Sequence, residues 1–342
     1  GAAGTQTVTF DAAYTSATDI IVPGSIMVDS AVESVHVEVQ IDTRGGGADG
    51  DVLLQPNNDV ILSAGILTDG GDVRIEAPGT QTGQSLYVLT NVTIDTEHNN
   101  DSNAGSVSFE GSDFILGRSG AYSDLTIDTT SNGGADGDIT LVRFGLNPSA
   151  ELNDQVFNAG TGTIFVNGDL LGGSGSASDP ASLTMHGNVQ LGGSYTFAFD
   201  SATGPGGEVN LTDATVSAGV AGANLTINTG SSSGSQNSGS VQLGAFGNGG
   251  GHYVNNLTVN SNGTSSGTDG QISFPTGGTG GFQIVGTLTT DSGNIKTVVD
   301  RDLTVGGGTL DASEVQMTVD VTLSVASGGT LTANGVVAGS NG

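Results

Sequence analysis

The chain has no cysteine among its 342 residues. Disulfides, thiolate-held zinc or iron–sulfur centres and thiol nucleophiles are therefore excluded. Tryptophan is also absent and aromatics make up 5% of the chain, so large rings contribute little to any core. Basic residues are scarce. Lys and Arg total 6 against 35 Asp and Glu, for a formal net charge of −29. Such a chain repels phosphate backbones and anionic lipid, which argues against nucleic-acid and membrane-surface partners. The charge also serves solubility or life in a saline medium. No apolar run of about 18 residues occurs, so no membrane-inserted helix is expected. A start Met and a signal peptide are missing, and Gly1-Ala2-Ala3-Gly4 reads as a processed end or the edge of an excised segment. Charged residues are only 12% of the chain, about half the usual ~25%.

Polarity comes instead from Ser, Thr, Asn, Gln and 59 glycines, and these are arranged in a recurring phrase. Leu125-Thr126-Ile127-Asp128-Thr129, a glycine-rich turn, then Asp138-Ile139-Thr140-Leu141 is its plainest form. Val92-Thr93-Ile94-Asp95-Thr96 leads likewise to Ser106-Val107-Ser108-Phe109, and Leu225-Thr226-Ile227-Asn228-Thr229 to Ser240-Val241-Gln242-Leu243. Leu257-Thr258-Val259-Asn260-Ser261 leads to Gln271-Ile272-Ser273-Phe274, and a diverged copy starts at Val39. The spacing is 33 residues from Ile94 to Ile127 and 32 from Ile227 to Val259. Period-two alternation, as in Val35-His36-Val37-Glu38-Val39 and Val73-Arg74-Ile75-Glu76, predicts short strands. Breaks by Gly, Pro, Ser and Asn leave almost no room for helices.

Repetition of one strand–turn–strand unit below domain size predicts stacked layers, each burying its apolar face on the next. The expected fold is an all-β, right-handed parallel β-helix, a single continuous solenoid over 1–342. The alternative is a row of β-sandwich domains, which would need about 100 residues each and fuller aromatic cores. Gly/Ser-rich stretches near 172–178, 230–239 and 261–270 are expected to project as loops. Strand pattern reaches both ends with no capping element, so segments 5–10 and 329–337 are expected to be open edges able to pair with another copy.

Chemistry is harder to find. The twin turns Gly46-Gly47-Ala48-Asp49-Gly50-Asp51 and Gly133-Gly134-Ala135-Asp136-Gly137-Asp138 present Asp49, Asp51, Asp136 and Asp138 as candidate Ca²⁺ ligands. Capped solvent turns explain the same residues, and the tandem register of calcium-binding β-rolls is missing. No catalytic residues and no other cofactor are expected. Arg44, Arg74, Arg118, Arg143, Arg301 and Lys296 fall at unrelated repeat positions, as do His36, His98, His186 and His252. Gly172-Gly173-Ser174-Gly175 lies in a loop rather than at a strand-to-helix elbow. Asn-x-Ser/Thr acceptors stand at Asn91, Asn100, Asn210, Asn224, Asn256 and Asn262.

The phrase x-Leu-Thr-Ile-Asp/Asn-Thr … Gly-x-Val-x-Leu-Gly, best seen from Asn224 to Gly244 and from Asn256 to Gly277, resembles that of secreted bacterial β-solenoid surface proteins. These include filamentous-haemagglutinin-like adhesins and giant "β-strand repeat" proteins. The resemblance implies a secreted or cell-surface rod used for adhesion or matrix building. It transfers no catalytic residue. The resulting expectation is a structural protein that polymerises head to tail by strand-edge pairing. The alternative is an adhesin segment that binds a glycan or surface receptor, and a lyase acting on acidic polysaccharide is a third reading.

Overall fold

The computed structural model describes residues 6–11, 19–44, 50–77, 85–97, 103–111, 114–117, 123–144, 152–172, 180–232, 234–249, 251–263, 266–276, 280–318, 320–333 and 335–338. Regular structure among them is all strand, and no helix is long and apolar enough to cross a membrane. The strands pair in parallel, which matches the expected parallel β-helix and not sandwiches built on antiparallel pairs. The chain divides into two compact units, Gly1–Phe165 and Val166–Gly342.

In the first unit each turn of the chain contributes one strand to each of three parallel stacks. The first stack is β1 (Thr7–Phe10), β4 (Ser34–Val37), β7 (Val60–Leu62), β10 (Ser85–Val88) and β13 (Phe114–Gly117). The second is β2 (Asp19–Ile21), β5 (Gln40–Asp42), β8 (Ile66–Leu67), β11 (Val92–Asp95), β14 (Leu125–Asp128) and the start of β16 (Asp154–Val166). The third is β3 (Ile26–Val28), β6 (Val52–Leu54), β9 (Val73–Ala77), β12 (Val107–Gly111) and β15 (Ile139–Leu141).

The second unit repeats the plan. One stack holds β17 (Leu170–Leu171), β19 (Tyr195–Ala198), β22 (Leu225–Asn228), β25 (Leu257–Asn260), the later parts of β27 (Phe282–Asp291) and β29 (Leu303–Asp311), and β32 (Leu331–Ala333). The next holds the start of β18 (Ser182–Leu191), then β20 (Glu208–Asn210), β23 (Val241–Gln242), β26 (Ile272–Phe274), β28 (Thr297–Val299), β30 (Val315–Met317) and β33 (Val336–Ala338). The last holds the end of β18, β21 (Ala214–Ala218), β24 (Ala245–Phe246), the first parts of β27 and β29, and β31 (Leu323–Val325).

Alternation along each strand sends every second side chain inward, and parallel register places like on like. Ile41, Ile66, Ile94, Ile127 and Phe157 thus form one fully buried column, and Val52, Val73, Val107 and Ile139 another. Each such side chain contributes about 1.5–3 kcal/mol of apolar burial. In the second unit Phe282 packs between Phe246 and Phe274, with ring centroids at 4.8 and 5.1 Å. Coil length is set by the turns rather than the strands. Hydrogen bonds between successive coils join residues as little as 17 apart, at Thr297 and Glu314, and as much as 36, at Arg74 and Glu110.

Candidate functional site: polar ladders and open coil edges

The recurring phrase has a physical reading, residue by residue. In β14, Leu125 and Ile127 point into the core and Thr126 points out. Asp128 then accepts the amide of Thr130 at 2.9 Å, turning the chain away from the strand. Thr129 is buried, and its Oγ1 donates to the carbonyl of Gly137 at 2.8 Å while the Gly137 amide donates to the Thr129 carbonyl. The loop between them is thereby closed at its base. Thr43, Thr68 and Thr96 make the same hydroxyl bond to Gly50, Gly71 and Gly105. In the second unit Thr229 and Ser261 make it to Gly239 and Gly270. The enclosed span varies from 3 to 10 residues, yet the closure is constant. Glycine is required at its far side. A Cβ on Gly71, Gly105 or Gly137 would collide with the carbonyl of the ladder glycine in the coil before it.

Just after these glycines lies a second ladder, and it contains two of the candidate calcium ligands. Asp51 Oδ1 accepts the amide of Asp72, Asp72 Oδ1 that of Ser106, Ser106 Oγ that of Asp138, and Asp138 Oδ1 that of Thr163. Asp136 does something else. Its Oδ1 accepts the Ser131 amide of its own coil at 2.6 Å, and its Oδ2 accepts the Thr161 amide and hydroxyl of the next, both at 2.7 Å. Partial burial pushes this carboxyl up, but the hydrogen bonds from Thr161 N, Ser131 N and Thr161 Oγ1 outweigh it and hold it below its ordinary 3.8. Asp269 is its counterpart in the second unit, binding the amides of Gly263 and Asn294. The residue each one clamps against in the following coil is a glycine with positive φ, Gly160 at 53° and Gly293 at 54°.

Asp51, Asp136 and Asp138 therefore each carry an inter-coil hydrogen bond, and Asp49 lies outside the described residues. Among the described residues no group of three or more His, Asp or Glu is gathered as a cation site. The Asp-Gly pair before a strand, at Asp136-Gly137 and Asp269-Gly270, is the sequence signal of the clamp.

The remaining candidates are dispersed. Arg44 binds Asp42 through Nε at 2.8 Å and Nη2 at 2.5 Å, a pairing that raises its already high pKa. Arg74 pairs with Glu76 and Glu110. Arg301 donates from Nε to the Pro275 carbonyl, and burial lowers its pKa. Lys296 reaches Gln316. His36 contacts Ser63 and Glu38, and His186 contacts Asp213; His98 and Arg118 lie outside the described residues. Three of the Asn-x-Thr acceptors are ladder residues. Asn91 accepts from Asp124 N, Asn224 from Asn256 N and Asn256 from Thr287 N. The triplet arises because an amide-accepting Asn, an inward aliphatic and an outward Thr begin these strands.

The loops near 230–239 and 261–270 lie on each other rather than projecting singly. Ser238 N donates to Thr268 O, Thr268 N to Asn237 Oδ1 and Ser266 N to Gly234 O. Beside them a shallow cavity of about 170 Å³ is lined by Asp200, Ser201, Ser231, Ser232, Asn260 and Asn262. Most of the loop near 172–178 lies outside the described residues.

Among the described residues the coil of β1, β2 and β3 is paired on one side only, with β4, β5 and β6. The coil of β31, β32 and β33 is likewise paired only with β29 and β30. Apolar residues are uncovered in both. Met27 is 72% exposed, Ile21 63% and Val336 52%. Comparison of the chain with protein-family models, with curated proteins and with solved structures found no match.

Proposed function

We propose that this chain is an extracellular structural protein whose copies join through their open coil edges into a fibre, sheath or matrix filament. One observation supports the reading: coil stacks on coil through parallel strand pairing and polar ladders, a pairing that a coil of another copy can continue. Unpaired strand edges are templates for further pairing, and neutral hydroxyl and amide ladders let coils approach without like-charge repulsion. The secreted or cell-surface setting rests on composition and on the resemblance of the repeated phrase. In this reading the chain is not an enzyme, and nucleic acid and membrane insertion play no part.

Sedimentation velocity over a concentration series tests it. Growth of the mean sedimentation coefficient with concentration, with filaments in negative stain, is the expected result; a single slow species throughout would reject it. The cavity beside Asn260 favours a second reading, an adhesin segment whose hydroxyl- and amide-lined surface takes a glycan. That reading expects a monomer that scores on a glycan array and loses the signal in Asp200→Ala. Calcium at Asp49, Asp51, Asp136 and Asp138 is a separate proposal. The amide ladder engages the last three without a cation, and a calorimetric titration with no heat of Ca²⁺ binding would remove it.

A further inference from the structure

The cavity beside Asn260 is built from three successive coils of the second unit. Asp200 and Ser201 come from the first, Gly230, Ser231 and Ser232 from the second, Asn260 and Asn262 from the third. Parallel register explains why there is space here. Ser201 is bridged to Ser231, which sets Asp200 beside Gly230. Asn228 is aligned with Asn260, which sets Gly230 beside Asn262. The middle coil thus has no side chain where its neighbours carry Asp and Asn. It has no room for one, because a Cβ on Gly230 would stand 2.6 Å from the Asn262 carbonyl. The gap leaves a hollow that crosses two strand-to-strand steps, about 10 Å.

The floor of the hollow is already committed. Ser201 and Ser231 are buried, Ser201 Oγ accepts the amides of Thr203 and Gly204, and Ser231 Oγ donates to the Gly204 carbonyl. Asn262 Nδ2 donates to Asp291. The rim is different. Asn260 Oδ1 accepts the Asn262 amide, but among the described residues its Nδ2 has no partner, and neither has the Asp200 carboxylate. Ser232 adds a hydroxyl whose bond to the Ser201 carbonyl is long, at 3.4 Å.

These groups define a ligand. A carboxylate only accepts hydrogen bonds, an amide nitrogen offers two N–H donors, and a hydroxyl does both. Adjacent sugar hydroxyls answer that set, donating to the carboxylate while their oxygens accept from the amide. Asp200 is the one carboxylate of the lining, and no basic side chain lines the cavity beside it. A uronate or sulfate therefore meets uncompensated like charge, the kind of juxtaposition that rejects a wrong partner. A divalent cation is poorly served, since among the described residues no three acidic or histidine side chains gather. The volume, about 170 Å³, lies below the ~300–1,000 Å³ of sites that enclose a drug-sized molecule. One ring enters, and the rest of a chain lies over the outward Thr226 and Thr258 beside it.

We infer that this hollow holds one ring of a neutral glycan, Asp200 and Asn260 gripping adjacent hydroxyls and Asp200 turning acidic sugars away. The inference rests on the glycan reading given second above, to which it adds the sugar class and the basis of selection.

Isothermal titration of the full chain tests it, with cellohexaose, xylohexaose and mannohexaose as neutral probes and hexagalacturonate as the acidic one. A neutral probe is expected to bind, and Asp200→Ala and Asn260→Ala are each expected to weaken it about tenfold or more. Hexagalacturonate is expected to bind wild type more weakly than the neutral probe does and to gain affinity in Asp200→Asn, which keeps the shape and removes the charge. Asp213→Ala removes a carboxylate outside the cavity and should leave both unchanged. Thermal melts by circular dichroism verify that the variants fold. If hexagalacturonate binds wild type as well as the neutral probes and loses that binding in Asn260→Ala, the sugar class is wrong while the glycan reading stands. If neutral binding survives both alanine substitutions, the ring sits elsewhere and the site is overturned. If no probe of either class binds, the glycan reading fails and the inference falls with it.

Discussion

At the scale of single residues the interior is a set of columns, and one column contains a misfit. Leu170, Phe197, Ile227, Val259 and Leu310 stack in register with Thr290, whose buried Oγ1 has no hydrogen-bond partner. A buried donor without a partner costs roughly 1–3 kcal/mol. Thr290→Val, which keeps the shape, is expected to stabilise the protein by about 1 kcal/mol in urea unfolding. The ladder glycines give the opposite sign. Gly105→Ala drives a methyl into the Gly71 carbonyl, whereas Gly133 has open space around it. The first is expected to cost about 2 kcal/mol or more and the second to stay within about 0.5 kcal/mol. Asp136 adds a pH dependence. Its folded pKa is depressed, so its contribution is present above the unfolded value near 3.8 and fades as pH falls through the folded value. Asp136→Asn should therefore be less stable than wild type at neutral pH and approach it under strong acid, as read by melting temperature across pH.

At the scale of the strand–turn–strand element, the closing Thr or Ser sets where a loop begins and ends. Thr129→Val leaves the Gly137 carbonyl buried without its donor and is expected to cost about 1–3 kcal/mol. The outward Thr126→Val, three residues earlier in the same phrase, should change stability by less than about 0.5 kcal/mol. Much of this element was legible beforehand. Leu125, Ile127 and their repeats marked the inward face, and the spacing of 33 residues from Ile94 to Ile127 is the actual register of β11 on β14. The roles of Asp136 and Asp138 were not legible. Standing two apart beside glycines they resemble a ligand pair, but each reaches a different amide of the next coil, at Thr161 and Thr163. Those partners are 25 residues away, beyond what local spacing can reveal. The short coils late in the second unit were equally hidden. Leu288 stacks on Gly308 with no Thr-Ile-Asp phrase to announce it, because β29 carries Gly306, Gly307 and Gly308 where other strands carry side chains.

At the scale of the whole molecule, the proposed joining of copies would draw on the same forces that stack coils within a unit. A net charge of −29 opposes association of copies. Screening by salt shortens the reach of that repulsion from about 30 Å at 0.01 M to about 8 Å at 0.15 M. Assembly should therefore strengthen as salt rises, opposite to an interface held by ion pairs, and light scattering across a sodium chloride series measures it. His36, His186, Arg44, Arg74, Arg301 and Lys296 make contacts within a coil, such as Arg44 with Asp42, or with a neighbouring coil, such as His36 with Ser63.

X-ray diffraction from aligned filaments of the purified protein tests the account most directly. Coils stacked in parallel and continued from copy to copy place strands across the fibre axis, so a sharp meridional reflection near ~4.8 Å is predicted. Filaments that lack it, or a preparation that stays monodisperse at every concentration and salt, would contradict the proposed stacking of copies.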